Sequence, residues 1–203
     1  MARSRVKSLG VGPDVSWDIC IAERGLRVLQ FDHALSRSPQ DNPRFIFHKS
    51  RVVGREEAPD DITLARILER ADLAGDNELI VKIDIEGSEW DVLAHSTKET
   101  LGRMRQIAIE FHGLHEFIKP DWRSRAIAVL KNLMATHACI HLHGNNWAPF
   151  LVIGGIPFPS VFEATFARRD NYALSPSTAV FPMEIDKPNN PKVPDLYLGR
   201  WTY

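Results

Sequence analysis

Apolar runs of strand length alternate with helix-period segments through most of this chain, and that alternation leaves few folds open. "RVKSLG" (5–10) reads as a short strand ending on glycine. "DVSWDICIAERG" (14–25) reads as a helix, with Asp14 or Ser16 as cap and Gly25 as stop. "LRVLQFD" (26–32) and "PRFIFHKS" (43–50) are the next strands. "DITLARILERADLAG" (61–75) has apolar residues at 64, 67, 68 and 71, the spacing of a helix face. "ELIVKID" (78–84) is a nearly continuous apolar strand, and Ser88 with Asp91 has capping-box spacing for a helix after it. "RQIAIEF" (105–111) is a strand, "WRSRAIAVLKNLMATH" (122–137) a helix, and "ACIHLH" (138–143) and "SVFEATFARR" (160–169) are strands. The pattern predicts an α/β, Rossmann-like doubly wound sheet of seven mostly parallel strands, with helices on both faces. No helix separates the last two strands, so the last is expected to be antiparallel.

Length and charge narrow the function. The chain has 203 residues and a net charge of −1. One domain over 1–170 is expected, followed by a proline-rich extended arm over 171–203. Without a basic excess, no nucleic-acid partner is expected. No apolar run reaches the ~18 residues of a membrane span, and "MARSRVKSLGVG" lacks the apolar core of a secretory leader. Cys20 and Cys139 are isolated. A reducing, cytoplasmic setting is the expectation. Tyr197, Leu198, Trp201 and Tyr203 make the arm a candidate homodimer element.

"SLGVGPDVSWD" places Gly10 and Gly12 between a strand and a helix. In a doubly wound fold such a turn brings backbone N–H groups to a ligand. Asp32 ends the next strand, 20 residues after Gly12, where an acid accepts from ribose hydroxyls. Val15 stands where GxGxxG has its third glycine, and Asp14 would repel a pyrophosphate. The turn suits a nucleoside with a cationic part better than a dinucleotide. "VKIDIEGSEWDVL" (81–93) ends its strand in carboxylates around Gly87. Ligands of open α/β sheets sit beyond the carboxyl ends of the strands, at the switch point. Asp84 and Glu86 are therefore expected to face the ligand beside Gly10.

"VKIDIEGSEWDVL", followed further on by "IAIEFHG", resembles the FkbM-type family of S-adenosylmethionine-dependent methyltransferases. "SLGVGPDVSWD" and "FDHA" resemble its cofactor turn and ribose acid, and the likeness runs over roughly residues 6 to 170. The resemblance implies a class I methyltransferase fold and S-adenosylmethionine as cofactor. It implies that Ser8, Gly10, Val11, Gly12, Asp14, Asp32, His33 and Asp84 hold that cofactor. The acid usual before the first glycine is Ser8 here, leaving Asp14 and Asp84 to share the cofactor's amino group.

A methyl sulfonium is already activated, so the protein mainly positions a nucleophile, and a hydroxyl acceptor also gains from a general base. Glu86 and His112 are the candidates on the acceptor side, with Asp84 near the methionine part. Glu110 shares a strand face with His112. His141 and His143 share one face of a strand. With Asn145, Asn146 and Trp147 they offer the polar, aromatic lip that suits a sugar. A packed polar hairpin would have the same composition. Asp84, His112 and His143 show no metal-ligand spacing, and no metal is expected. The expected activity is O-methylation of a small-molecule or glycan hydroxyl. An NAD-dependent oxidoreductase would share the turn and Asp32 but leave "IDIEGSE" unexplained. A non-catalytic module of the same fold would bind cofactor without transferring a methyl group.

Overall fold

The structure is a computed structural model that describes residues 6–69 and 77–201. Arg5 of the first predicted strand, residues 70–75 of the second predicted helix and Tyr203 of the arm lie outside the described residues. The chain divides into two compact units, 1–107 and 108–203.

The first unit opens with strand β1 (Val6–Leu9), wholly buried, and helix α1 (Ser16–Glu23). Asp14 accepts from the Ser16 N–H at 2.8 Å and so opens α1 from outside the helix. Strands β2 (Val28–Asp32) and β3 (Phe45–Lys49) follow. Both expectations for residues 61–75 and 88–91 need correcting. Residues 61–63 are extended and not helical: β4 (Arg51–Val53) pairs in parallel with β5 (Asp61–Thr63). Asp61 fixes this by accepting from the Arg51 side chain at 2.8 Å and from the Glu57 and Ala58 amides at 3.0 and 2.9 Å. The described helix α2 begins only at Leu64 and runs to Glu69. Strand β6 (Leu79–Ile83) leads to helix α3 (Glu89–Ala94), where Ser88 makes no side-chain cap and Asp91 accepts from Gly54 N instead. Helix α4 (Lys98–Gly102), capped by Thr97, went unpredicted because its five residues carry too little apolar period to read. Strand β7 (Met104–Phe111) begins in this unit.

The second unit holds the end of β7, helix α5 (Pro120–Met134) and strand β8 (His137–Gly144). Pro120 at the start of α5 supplies a fixed φ where no N–H is needed, and Ala126, Val129 and Leu133 form its buried stripe. The linker predicted between the last two strands contains a hairpin, β9 (Phe150–Ile153) with β10 (Ile156–Pro159). Strand β11 (Phe162–Arg168) runs antiparallel to β8, as expected. Beyond it the chain is mostly irregular, apart from the short pair β12 (Val180–Phe181) and β13 (Gly199–Arg200).

Seven strands form one mixed sheet in the order β3-β2-β1-β6-β7-β11-β8. β1 pairs in parallel with both β2 and β6, and β2 with β3. This is the Rossmann-like, mostly parallel sheet that the sequence predicts. Among the described residues, no helix is long and apolar enough to cross a membrane.

Within the second unit the segment after β11 is fastened to β8. Phe181 is completely buried, edge-on to the His141 ring at 5.4 Å. Phe181→Ala is expected to cost about 3 kcal/mol, read as a lower denaturant midpoint; an unchanged midpoint would mean that the segment adds nothing to stability.

Candidate functional site

The strand order reverses at β1, between β2 and β6, and the glycine turn emerges there. Asp84 N donates to Leu9 O at 2.8 Å, and Gly10 N to Phe31 O at 2.9 Å. These bonds hold the turn between the ends of β2 and β6. Gly10 has φ +76, and a Cβ on it would lie 1.6 Å from the Asp84 carbonyl oxygen. Only glycine fits at that crossing.

Asp32, at the tip of β2, is the organiser of the turn. One of its oxygens accepts from Val11 N at 3.0 Å and Gly12 N at 3.3 Å. The other accepts from Ala34 N at 2.7 Å and Leu35 N at 3.0 Å. Burial pushes this carboxyl up, but the four amides outweigh burial and hold it below the usual carboxylate range.

Asp84, at the tip of β6, pairs with Lys82 at 2.9 Å, and the same ammonium donates to Gly10 O at 3.4 Å. Lys82 thus ties the tip of β6 to the turn. Asp14 is held below the usual range, chiefly by the Ser16 amide. Beneath the turn, fully buried Ser8 faces away from solvent, its hydroxyl donating to Asp18 at 3.3 Å. Gln30 donates to the other Asp18 oxygen at 2.9 Å. Burial raises the Asp18 carboxyl above its ordinary value.

A cavity of about 360 Å³ opens at these strand ends. Gly10, Asp32, His33, Asp84 and Glu86 line it, with Phe31, Val52 and Ile85 as apolar wall. Of the predicted cofactor residues, Gly10, Asp32, His33 and Asp84 therefore come together. Val11 and Gly12 take part through their amides to Asp32. Ser50, Arg51 and Val52 also line the cavity, and sequence reading missed them. The only signal was the short β-branched pair in "SRVVG".

Three acids around a glycine turn fit a ligand that combines a ribose diol with positive charge. The apolar wall fits a base, and the volume is of the order that small-molecule sites require.

In the second unit, His112 Nε2 lies 3.8 Å from Glu110 Oε1, and Asn145 donates to that same oxygen at 2.7 Å. The remaining lip residues turn to the segment after β11. His141 pairs with Asp186 at 2.7 Å. His143 is held between Glu163 at 2.9 Å and Asp195 at 2.9 Å. With a carboxylate on each ring nitrogen, His143 is raised to about 9, led by the Glu163 hydrogen bond against the opposing effect of burial. Asn146 donates to Asn190 O at 3.1 Å, and Trp147 Nε1 to Asn189 O at 3.0 Å. Trp147 nevertheless remains 67% exposed.

A doubly wound sheet whose last strand turns back antiparallel, with a glycine turn and acids at its switch point, is the class I methyltransferase architecture. The sequence matches the methyltransferase FkbM domain over residues 3–138, more than half of the chain, and the chain belongs to that family. No curated protein matches it. Among solved structures, it is similar to a putative methyltransferase from Streptococcus mutans in complex with SAH, with 10% identity, 83% of this chain and 88% of that chain covered, and a TM-score of 0.42. A putative S-adenosylmethionine-dependent methyltransferase from Listeria monocytogenes is 12% identical, with 83% and 91% covered and a TM-score of 0.46. The precorrin-6Y C5,15-methyltransferase of Geobacter metallireducens is 12% identical, with 83% and 81% covered and a TM-score of 0.39.

Proposed function

We propose that this protein transfers a methyl group from S-adenosylmethionine to a hydroxyl of a small molecule or glycan. The supporting observation is the cavity in which Asp32, Asp84 and Glu86 surround the glycine turn. Bound there, S-adenosylmethionine supplies an electrophilic methyl on a positively charged sulfur. Asp32 and His33 would hold the ribose side, and Asp14 and Asp84 the amino group. Glu86 and His112 are the proposed bases for the acceptor hydroxyl, which is more nucleophilic once its proton has an acceptor in reach. Trp147 offers an open ring face on which a sugar could stack. His141, His143 and Asn146 would act on the acceptor through the segment they hold. The domain over 1–170 carries the chemistry in this reading, and the arm over 171–203 completes the acceptor side or a homodimer.

Calorimetric titration with S-adenosylmethionine, S-adenosylhomocysteine and NAD tests the proposal. Micromolar binding of the first two, without NAD, is the expected result. NAD binding alone would replace methyl transfer with hydride transfer. Cofactor binding with no methyl transfer to any acceptor would leave a binding module.

A further inference from the structure

Glu89 is the first residue of α3, yet its carboxylate serves the loop before the helix. Its Oε1 accepts from Ile85 N at 3.0 Å, and both of its oxygens accept from Gly87 N at 3.1 Å. The residue is completely buried. A carboxylate is expensive to bury unless hydrogen bonds replace water, so these bonds carry weight. The loop they hold is strained. Glu86 has φ 53, the left-handed conformation that non-glycine residues rarely adopt, and Gly87 follows at φ 103. Such a conformation persists only where its surroundings over-determine it. Asp84, Ile85, Glu86 and Ser88, on either side of the bonded amides, all line the cavity. A carboxylate that merely capped α3 would bond the first N–H groups of its own helix. These bonds run backwards instead.

We infer that Glu89 is a positioning residue of the cofactor cavity, whose buried carboxylate holds residues 85–87 in the left-handed turn that presents Asp84 and Glu86. The inference rests on the reading of the cavity as the S-adenosylmethionine site. It predicts unequal effects of two substitutions. Glu89→Ala takes this acceptor from two part-buried amides and lets Glu86 relax. Glu89→Gln keeps one carbonyl oxygen, and Oε1 already receives both amides.

The test pairs titration with S-adenosylhomocysteine with amide hydrogen exchange at Ile85 and Gly87. Glu89→Ala should weaken binding by about 30-fold or more and strip protection from both amides. Glu89→Gln should restore binding to within about tenfold of wild type. Gly87→Ala disturbs the same loop from the backbone side: the added Cβ meets nothing within 4 Å, but φ +103 is strained for alanine. It should weaken binding to a similar degree, and it carries the test if Glu89→Ala does not fold. Wild-type affinity in a folded Glu89→Ala or in Gly87→Ala would overturn the inference. So would unchanged exchange at Ile85 and Gly87 in Glu89→Ala. If wild type itself binds no S-adenosylhomocysteine, the reading of the cavity falls, and the role of Glu89 as a cofactor-positioning residue falls with it. The exchange measurement still decides whether Glu89 holds the turn.

Discussion

Asp32→Ala should lower affinity for S-adenosylhomocysteine at least 100-fold and also destabilise the ligand-free protein. The two effects share one cause. The carboxylate receives four amides from two loops, Val11 and Gly12 on one side and Ala34 and Leu35 on the other. Alanine leaves all four without an acceptor. Hydrogen bonds to a charged group contribute about 1.5–3 kcal/mol each, although water can replace part of that at this half-open site. A ribose diol would have to share oxygens whose acceptor positions, about four in an ionised carboxylate, are already used. Asp32 would thus act on the ligand directly and also through the shape of the turn. Asp32→Asn separates the roles. It keeps one acceptor oxygen but faces two amides with an NH₂ group, so it should lose most affinity and about half of the stability effect. An Asp32→Ala protein that binds with wild-type affinity would remove Asp32 from the site.

Raising the pH from 7 to 10 should loosen the segment after β11, with His143 as the cause. The imidazolium sits between Glu163 and Asp195 and is raised to about 9 from an ordinary 6.5. A raised folded-state value means that the protonated form stabilises the fold. That contribution is complete below pH 6.5 and disappears as pH climbs through 9. The shift corresponds to about 3 kcal/mol, and about 2 kcal/mol is a fairer figure once solvent screening at the partly exposed Glu163 is counted. His141 faces Asp186 on the same segment, so both histidines meet acids there. Denaturant midpoints measured from pH 7 to 10, for wild type and His143→Gln, isolate this part from other alkaline titrations. The wild-type curve should fall more steeply between pH 7 and 10. Parallel curves would mean that the charge on His143 contributes nothing.

The large pattern of the fold was legible because it rests on period and length. The sheet strands and α5 announce themselves as apolar runs or stripes of adequate length. β4, β5 and α4 did not, since three to five residues hold no period and Asp61 ties its segment down through side-chain bonds. That Gly10, Asp32 and Asp84 meet around one cavity was readable because strand ends and glycine turns have fixed places in a doubly wound sheet. Glu89 was not. Its place in the sequence resembles an ordinary first-turn acid, and only the backward direction of its bonds reveals another task. The histidines at 141 and 143 were correctly put on one face, but nothing in the sequence pairs them with Asp186 and Asp195, some fifty residues away.

The position of β11 also bears on how the protein is made. β8 is synthesised first, yet among the described strands of the sheet it pairs with β11, which must come in beside it later. Until residue 168 has left the ribosome, β8 lacks β11 to pair with, and Asp186 and Asp195, which will receive His141 and His143, come later still. The glycine turn and the strand ends it meets lie within residues 6–88. The far edge of the sheet and its fastening segment can be assembled only after residues 162–195 have emerged. Ribosome-bound chains stalled so that residue 150 has just cleared the exit tunnel should therefore already protect the Gly10 turn while leaving 137–144 open to proteases.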